Sequence, residues 1–318
     1  MPTLIDNTKT SPTTTNKFTE SIPTLQWAFD STSLGLLQEC ARKYYYQIIL
    51  GFQPRGTSIH LSFGIAYHGA HEQFEHNRAL GMDYDENLRT VIKWIFANFQ
   101  DGPDPDSYKN QKTLLRSFVW YREQFRNDHL QTVILGNDKP AVELSFRFGL
   151  DTETPDGTDF IYCGHMDRLA QDPDGEYFWT DHKTTKSALD DRYFDGFSPS
   201  TQMTGYFAAS QVVLPKPARA GLIEAAQLLV GGTRFGRRAI NRTQGQLSEW
   251  YSNIQWWMHQ AQRFAEENFW PMNEKACNNF GGCAFRQVCG RDPAVRDHFL
   301  KASYEKWDWN PLIIRGDV

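Results

Sequence analysis

Residues 163–187, CGHMDRLAQDPDGEYFWTDHKTTKS, constrain the fold more than any other stretch of the chain. Residues 159–170 and 175–185 read as β-strands, and the Asp-Pro-Asp-Gly between them is a turn former, so the two strands are antiparallel neighbours. Side chains two apart in a strand share a face. Asp181 and Lys183 therefore point one way and His182 the other, and the hairpin brings Asp167 close to Asp181. Two adjacent carboxylates repel, and one is pushed to hold a proton. A hard divalent cation removes the conflict by taking oxygen from both. Such an ion also lowers the pKa of a bound water and neutralises charge on a phosphodiester. Lys183, on the same face, can stabilise the charge that develops. This is the set that phosphodiester hydrolysis needs. The competing reading is a surface hairpin with a cross-strand salt bridge, worth about 0–1 kcal/mol.

The flanking patterns predict helices, then strands, then helices. Leu34, Leu37, Ala41, Tyr44 and Ile48 recur at helical spacing behind the capping oxygens of Ser31 and Ser33, with Cys40 inside the same helix. A second helix begins near Ser62 or Gly64 and carries His68, with Glu72 one turn later. Two more span 86–99 and 110–129. In residues 141–150, Val142, Leu144, Phe146 and Phe148 alternate with Glu143, Ser145 and Arg147. Glu143 thus either lines the acidic hairpin or lies on a solvated strand face. Residues 198–213 read as a helix, 219–242 as one or two strands, and 246–269 as a long helix. Trp250, Trp256 and Trp257 of that helix read as core packing. No internal repeat is present. The order implies an α/β or α+β core with one central sheet.

Bulk properties bound the function. The 318 residues carry a net charge of −5, so no global positive field points to nucleic acid and any DNA surface is local. Arg234, Arg237, Arg238 and Arg242 fall within nine residues and suit a phosphate track, or a solvated basic edge. Arg42 and Lys43 beside Tyr44, Tyr45 and Tyr46 form a mix suited to single strands. No run of eighteen apolar residues indicates a membrane span, and the N-terminus has no signal-type apolar core. A cytoplasmic protein is expected, bacterial or phage-encoded in the host cytoplasm. Residues 1–20 read as a disordered tail, 21–300 as a single domain and 301–318 as a C-terminal tail.

Three of the five cysteines, Cys277, Cys283 and Cys289, lie six apart around Gly281 and Gly282. In a reducing compartment such crowding points to metal more than to disulfides. Three thiolates are one short of a closed site, and Cys40 is the obvious fourth. Zn²⁺ is the alternative metal, although structural zinc sites usually show short Cys-x₂₋₄-Cys knuckles, absent here. Cys163 reads as a small core residue.

GHMDR, the hairpin and TDHKTT together resemble the PD-(D/E)XK nuclease superfamily, above all its RecB-like branch. Gly164, Asp167, Asp181 and Lys183 match its Gly-x-x-Asp and Asp-x-Lys elements. Gly64 with His68 matches the upstream helical histidine, and Gln202 with Tyr206 the following Gln-x-x-x-Tyr. The resemblance implies a restriction-endonuclease-like mixed sheet flanked by helices, with a helical N-terminal part and a Cys-rich C-terminal lid. It implies Mg²⁺ or Mn²⁺ on His68, Asp167, Asp181 and the His182 carbonyl, with His71 a rival ligand one turn from His68. Asp167, Asp181, Lys183, Gln202 and Tyr206 would be catalytic. One cysteine before the nuclease motifs and three after them is similar to the AddB-type proteins and the fourth CRISPR-associated nuclease family. That likeness implies a structural [4Fe–4S] cluster on Cys40, Cys277, Cys283 and Cys289. Five residues, where the family commonly has two, separate Cys277 from Cys283.

The implied activity is hydrolysis of DNA, with exonuclease action on single-stranded ends, 5′ to 3′, in recombination, repair, or phage or CRISPR DNA processing. Helicase or recombination and integration proteins are the implied partners. The chain has no helicase-type phosphate loop, so unwinding would come from another chain. Two alternatives are a catalytically weak DNA-binding subunit of a helicase–nuclease or integration complex, and a zinc-stabilised interaction protein.

Overall fold

The computed structural model describes residues 16–314 except 57, 103–105 and 107. Most of the expected N-terminal tail, residues 1–15, lies outside the described residues. In chain order the elements are β1 (Ala28–Phe29), α1 (Ser31–Glu39), α2 (Ala41–Tyr44), a π-helical segment (Tyr45–Ile49), β2 (Phe52–Pro54), α3 (Ile59–Ala79), α4 (Tyr84–Asn98) and α5 (Gln111–Gln124). There follow β3 (Gln131–Thr132), β4 (Val142–Glu153), β5 (Asp159–Gln171), β6 (Tyr177–Thr185), α6 (Asp191–Asp195), α7 (Thr201–Val213), β7 (Ala220–Leu228) and β8 (Thr233–Ile240). The chain ends with α8 (Gln244–Glu266), a 3₁₀ segment (Glu274–Gly281), α9 (Arg286–Cys289), α10 (Pro293–Ser303) and β9 (Tyr304–Lys306). The class is α/β, with a mixed central sheet flanked by helices. Two compact units emerge: residues 16–56, 147–164 and 244–314 form the first, and 58–146 with 165–243 the second.

In the second unit the acidic hairpin closes as its turn chemistry requires. The Asp172 carboxylate accepts from the N–H groups of Asp174 and Glu176, and Gly175 takes φ 80°, a left-handed value that suits glycine. The register pairs Arg168 with Thr180 and Gln171 with Tyr177. β6 then runs parallel to β7, with Asp181 opposite Ile223 and His182 opposite Glu224, and β8 returns antiparallel on β7. α6 and α7 lie within the crossover that a parallel β6–β7 pair demands.

This register sorts side chains onto two faces. Trp179, on the face of Asp181 and Lys183, packs against Tyr206 and Phe207 of α7 at 5.2 and 5.0 Å. The opposite face carries His182, against which Tyr67 and His71 of α3 and Tyr121 of α5 pack. Behind them, Phe63, Phe74, Val91, Ile95, Leu114 and Phe118 join Ala226 and Leu228 in one apolar core. Each such large side chain contributes about 1.5–3 kcal/mol by leaving water.

In the first unit β1 lies parallel to β5, Ala28 opposite Ile161 and Phe29 opposite Tyr162. Trp250 of α8 is buried against Tyr162 and Phe148, as expected, whereas Trp256 is 54% exposed, contrary to its reading as core. Cys163 is buried, its thiol directed at the Phe29 carbonyl. Residues 304–306, within the expected C-terminal tail, form β9 antiparallel to β2 and place Tyr304 against Phe285. Cys40 departs from the sequence reading. It does not continue the first helix but breaks it, with extended angles (φ −165°, ψ 111°) between α1 and α2. No helix among the described residues is long and apolar enough to cross a membrane.

Gly221 makes the second-unit packing testable. A Cβ at this position would meet the Trp179 ring at 1.9 Å, and that ring is fully buried. Gly221→Ala should lower stability by about 1–3 kcal/mol or more, because the indole cannot retreat. Gly64→Ala meets no heavy atom within 4 Å and serves as the control. Urea melts with matched slopes and a midpoint lowered only for Gly221→Ala are expected, while Gly64→Ala, inside α3, keeps or raises its midpoint; an unlowered midpoint for Gly221→Ala would contradict the packing.

Candidate functional site

β5 and β6 supply the acids, and the last pair in their ladder is Arg168–Thr180, just before Asp167 and Asp181. Beyond it the Asp167 Oδ2 accepts from the His182 backbone N–H at 2.9 Å. His68, near the middle of α3, places Nδ1 2.9 Å from the same oxygen. Lys183 Nζ lies 2.7 Å from Asp181 Oδ2 and 3.3 Å from Gln202 Oε1, and Gln202 Nε2 donates to the Tyr206 hydroxyl at 2.9 Å. His68 with Asp167, and Asp181 with Lys183, Gln202 and Tyr206, thus form two bonded groups, joined where the His182 N–H meets Asp167. The one-turn spacing of Gln202 and Tyr206 on α7 is what lets them act as a pair.

Electrostatics separates the two acids. Burial would raise the Asp167 carboxyl, but His68 outweighs it, by charge and hydrogen bond, and holds the group well below the usual carboxylate range. Asp181 has no exposed surface; burial pushes it up to about 6, against the pull of Lys183 and with the push of Asp167. His68 is opposed by burial yet driven up to about 8 by Asp167. Burial also lowers the Lys183 ammonium, but Asp181 and Asp167 more than compensate and raise it.

Glu143 belongs here as well. Its φ is 48°, a left-handed value unusual for a non-glycine residue in a strand, and it is buried. Strict alternation in β4 would have grouped it with Ser145 and Arg147. The kink instead buries Val142 and Glu143 together. Donor atoms of His68, Glu143 and Asp167 all lie within 4.8 Å of one another, so these three could hold a cation. No sequence signal marks a glutamate for a left-handed backbone.

The opposite face of the hairpin explains Arg168 and His182. Arg168 donates to the Leu130 carbonyl at 2.7 Å and to the Thr132 hydroxyl at 2.9 Å. It lies 3.4 Å from Glu75, which Arg122 meets at 2.5 Å. Burial would raise the Glu75 carboxyl, but Arg168, Arg122 and Arg78 overcome it and hold it far below its ordinary value. The His182 ring stacks on His71 at 4.0 Å, with Nε2 3.4 Å from Glu224. Burial drives His182 down to about 4, and its ring is taken up by His71 and Glu224 on this face, so only its backbone carbonyl remains a candidate ligand. His71 is corrected from rival ligand to part of this network: its Nδ1 lies 2.5 Å from Arg122.

β8 splits the four arginines. Its register puts Arg234 and Arg238 on the face of Asp181 and Lys183, and Arg237 on the face of Glu224. Arg234 is exposed, and Arg238 pairs with Asp191 at 2.5 Å. Arg237 is not a free phosphate contact, because it is held by Glu224 and by Asp128 at 2.6 Å. Arg242 is likewise held inward, by the Thr204 hydroxyl and the Phe197 carbonyl.

The four cysteines of the expected cluster meet in the first unit. Cys40, Cys277, Cys283 and Cys289 line one small cavity with Lys43, Met272, Asn273, Ala276 and Phe285. The extended backbone of Cys40 and the left-handed Gly281 and Gly282 (φ 88° and 113°) are what turn the chain there. The Asn273 N–H donates to Cys40 Sγ at 3.3 Å. Burial raises the thiols of Cys283 and Cys289. Four sulfur donors with no imidazole or carboxylate among them could hold a soft metal or an iron–sulfur group.

A search of curated proteins finds no match. Among solved structures, SSO0001 aligns at 10% identity over 83% of this chain and 86% of its own, with TM-score 0.36. A candidate exonuclease from Eubacterium rectale aligns at 11% identity over 81% and 88%, with TM-score 0.46. The profile of the PD-(D/E)XK nuclease superfamily matches residues 31–290, which include every motif of the acidic site, and the chain belongs to that superfamily.

Proposed function

We propose that this nuclease hydrolyses DNA phosphodiesters with Mg²⁺ or Mn²⁺ held by His68, Glu143 and Asp167, with Asp181 adding oxygen and the His182 carbonyl alongside. The observation that carries the reading is the meeting of two unlike acids, an imidazole and an ammonium in one buried cluster. Asp181 Oδ1 is buried without a hydrogen-bond partner among the described residues. Such an oxygen costs about 1–3 kcal/mol or more unless a cation satisfies it. A bound ion supplies an activated water and neutralises phosphate charge. Asp181 and Gln202 fix the Lys183 ammonium where charge develops on phosphorus, and Tyr206 fixes Gln202. Single-stranded ends as substrate, 5′ to 3′ polarity and a role in recombination, repair or phage or CRISPR processing come from the RecB-like resemblance. So do a helicase or integration partner and a cytoplasmic setting.

We also propose that Cys40, Cys277, Cys283 and Cys289 hold a [4Fe–4S] cluster. The all-sulfur donor set around one small cavity supports this. The cluster would join residues 277–289 to the start of α2.

Three outcomes check these readings. On labelled single-stranded DNA with Mn²⁺, Asp181→Ala and Lys183→Met should each cut at least about 100-fold more slowly than wild type. A wild type as inert as the variants would favour a binding subunit. Metal binding must also displace protons, because ligands bind deprotonated. With His68 at about 8 and Asp181 at about 6, His68 is protonated and Asp181 ionised at pH 7. Calorimetry in buffers of different ionisation enthalpy should show roughly one proton released per Mn²⁺ at pH 7, rising towards two below pH 6; no release at pH 7 would exclude His68 as a ligand. Protein made without air should be brown, with about four irons per chain, and Cys283→Ser should lose them. Colourless protein with one zinc would replace the cluster with the zinc site.

A further inference from the structure

One concave feature of the first unit is used by neither site. It is a groove of about 450 Å³ lined by Arg42, Tyr45, Tyr46, Leu50, Asn268, Phe269, Trp270, Pro293, Arg296, Asp297 and Leu300. Its walls are aromatic. Tyr45 stacks on Trp270, with ring centres 5.9 Å apart and planes 19° from parallel, and Tyr46 lies 5.8 Å from Tyr45. Phe269 is 56% exposed. Tyr45 and Tyr46 open the π-helical segment, a rare backbone form that concentrates at functional positions.

The polar groups favour an anionic ligand. Arg42 spends its Nε on the Trp270 carbonyl at 3.0 Å, which orients the guanidinium without consuming its terminal nitrogens. Arg296 donates to the carbonyls of Arg291 and Cys289. The one carboxylate in the lining, Asp297, is paired with Lys301 at 2.6 Å. Trp270 is 4% exposed, and its indole N–H finds no acceptor among the described residues. A buried donor left unpaired is costly, and a ligand oxygen would satisfy it.

We propose that this groove is a binding subsite for single-stranded DNA, with a base stacked on Tyr45 beside the exposed Phe269 and the neighbouring phosphate at Arg42 and Arg296. The proposal rests on the reading of the chain as a DNA nuclease. Stacked rings beside guanidinium groups are the chemistry that grips a strand without reading its sequence. A duplex offers no free base face to such a wall. Arg296 also ties the groove to the backbone of Cys289, so the cysteine site and the strand share one support.

The test uses full-length protein purified without air, with a fluorescent 12-nucleotide oligothymidylate and no added divalent ion, read by anisotropy. Tyr45→Ala should weaken binding about tenfold or more, and Tyr45→Phe, which keeps the ring, should bind as wild type. Arg42→Met should weaken binding and flatten its salt dependence by about one phosphate contact. Melting temperature and iron content guard against misfolded variants. If Tyr45→Ala is unstable, a bromodeoxyuridine oligonucleotide cross-linked to wild type and mapped by mass spectrometry replaces it, with adducts expected at Tyr45 or Phe269. Wild type that cuts DNA while Tyr45→Ala and Arg42→Met bind unchanged would overturn the groove and leave the nuclease reading standing. Wild type that binds with these dependences yet never cuts with Mn²⁺ would do the reverse. Deoxythymidine monophosphate competing as well as the oligonucleotide would overturn the strand in favour of a mononucleotide. Adducts only elsewhere would overturn the groove outright.

Discussion

Asp167 and Asp181 face one another across a hairpin in a place where two bare carboxylates could not both stay ionised, and most of the second unit follows from resolving that conflict. His68 settles Asp167 from α3, and Lys183 settles Asp181 from the same strand. The outcome is asymmetric. One acid is firmly anionic, and the other is buried and raised to about 6, where it takes up a proton far more readily. An asymmetric pair of this kind is ready for a divalent ion, because the ion replaces a proton rather than adding charge to a filled site.

The face away from the acids is just as charged. Arg168 and His182 alternate with the acids along their strands, so each carries its polar group into protein rather than solvent. There Glu75, Arg122, His71 and Glu224 meet them. Removing one partner from a buried set like this leaves an uncompensated charge, at a cost of about 3–5 kcal/mol. The consequence is positional. The peptide between Asp181 and Lys183 carries its ring into a fixed network on one side and donates its N–H to Asp167 on the other, so the catalytic strand has little freedom to slide.

The first unit has its own logic. Its late segments are short: a 3₁₀ turn, one turn of α9, then α10. Such pieces bury little surface by themselves, and small structures of this kind commonly depend on a metal or cluster to hold them. Tyr46, Phe285 and Tyr304 supply an aromatic core beside the cysteines.

Sequence alone determined the hairpin and the shared face of Asp181 and Lys183, because turn residues and two-residue periodicity are local properties. It also determined the order of helices and strands and the roster of four cysteines. It misplaced features set by partners distant in the chain. Cys40 lies within a perfect helical pattern yet breaks the helix, and Glu143 lies within a perfect alternation yet turns inward. His71 looks like a ligand one turn from His68 until Arg122 of α5 claims it, and Arg237 looks like a DNA contact until Glu224 and Asp128 do. Tertiary structure decided these cases, since a local pattern says which way a side chain leaves the backbone but not which charge is waiting for it.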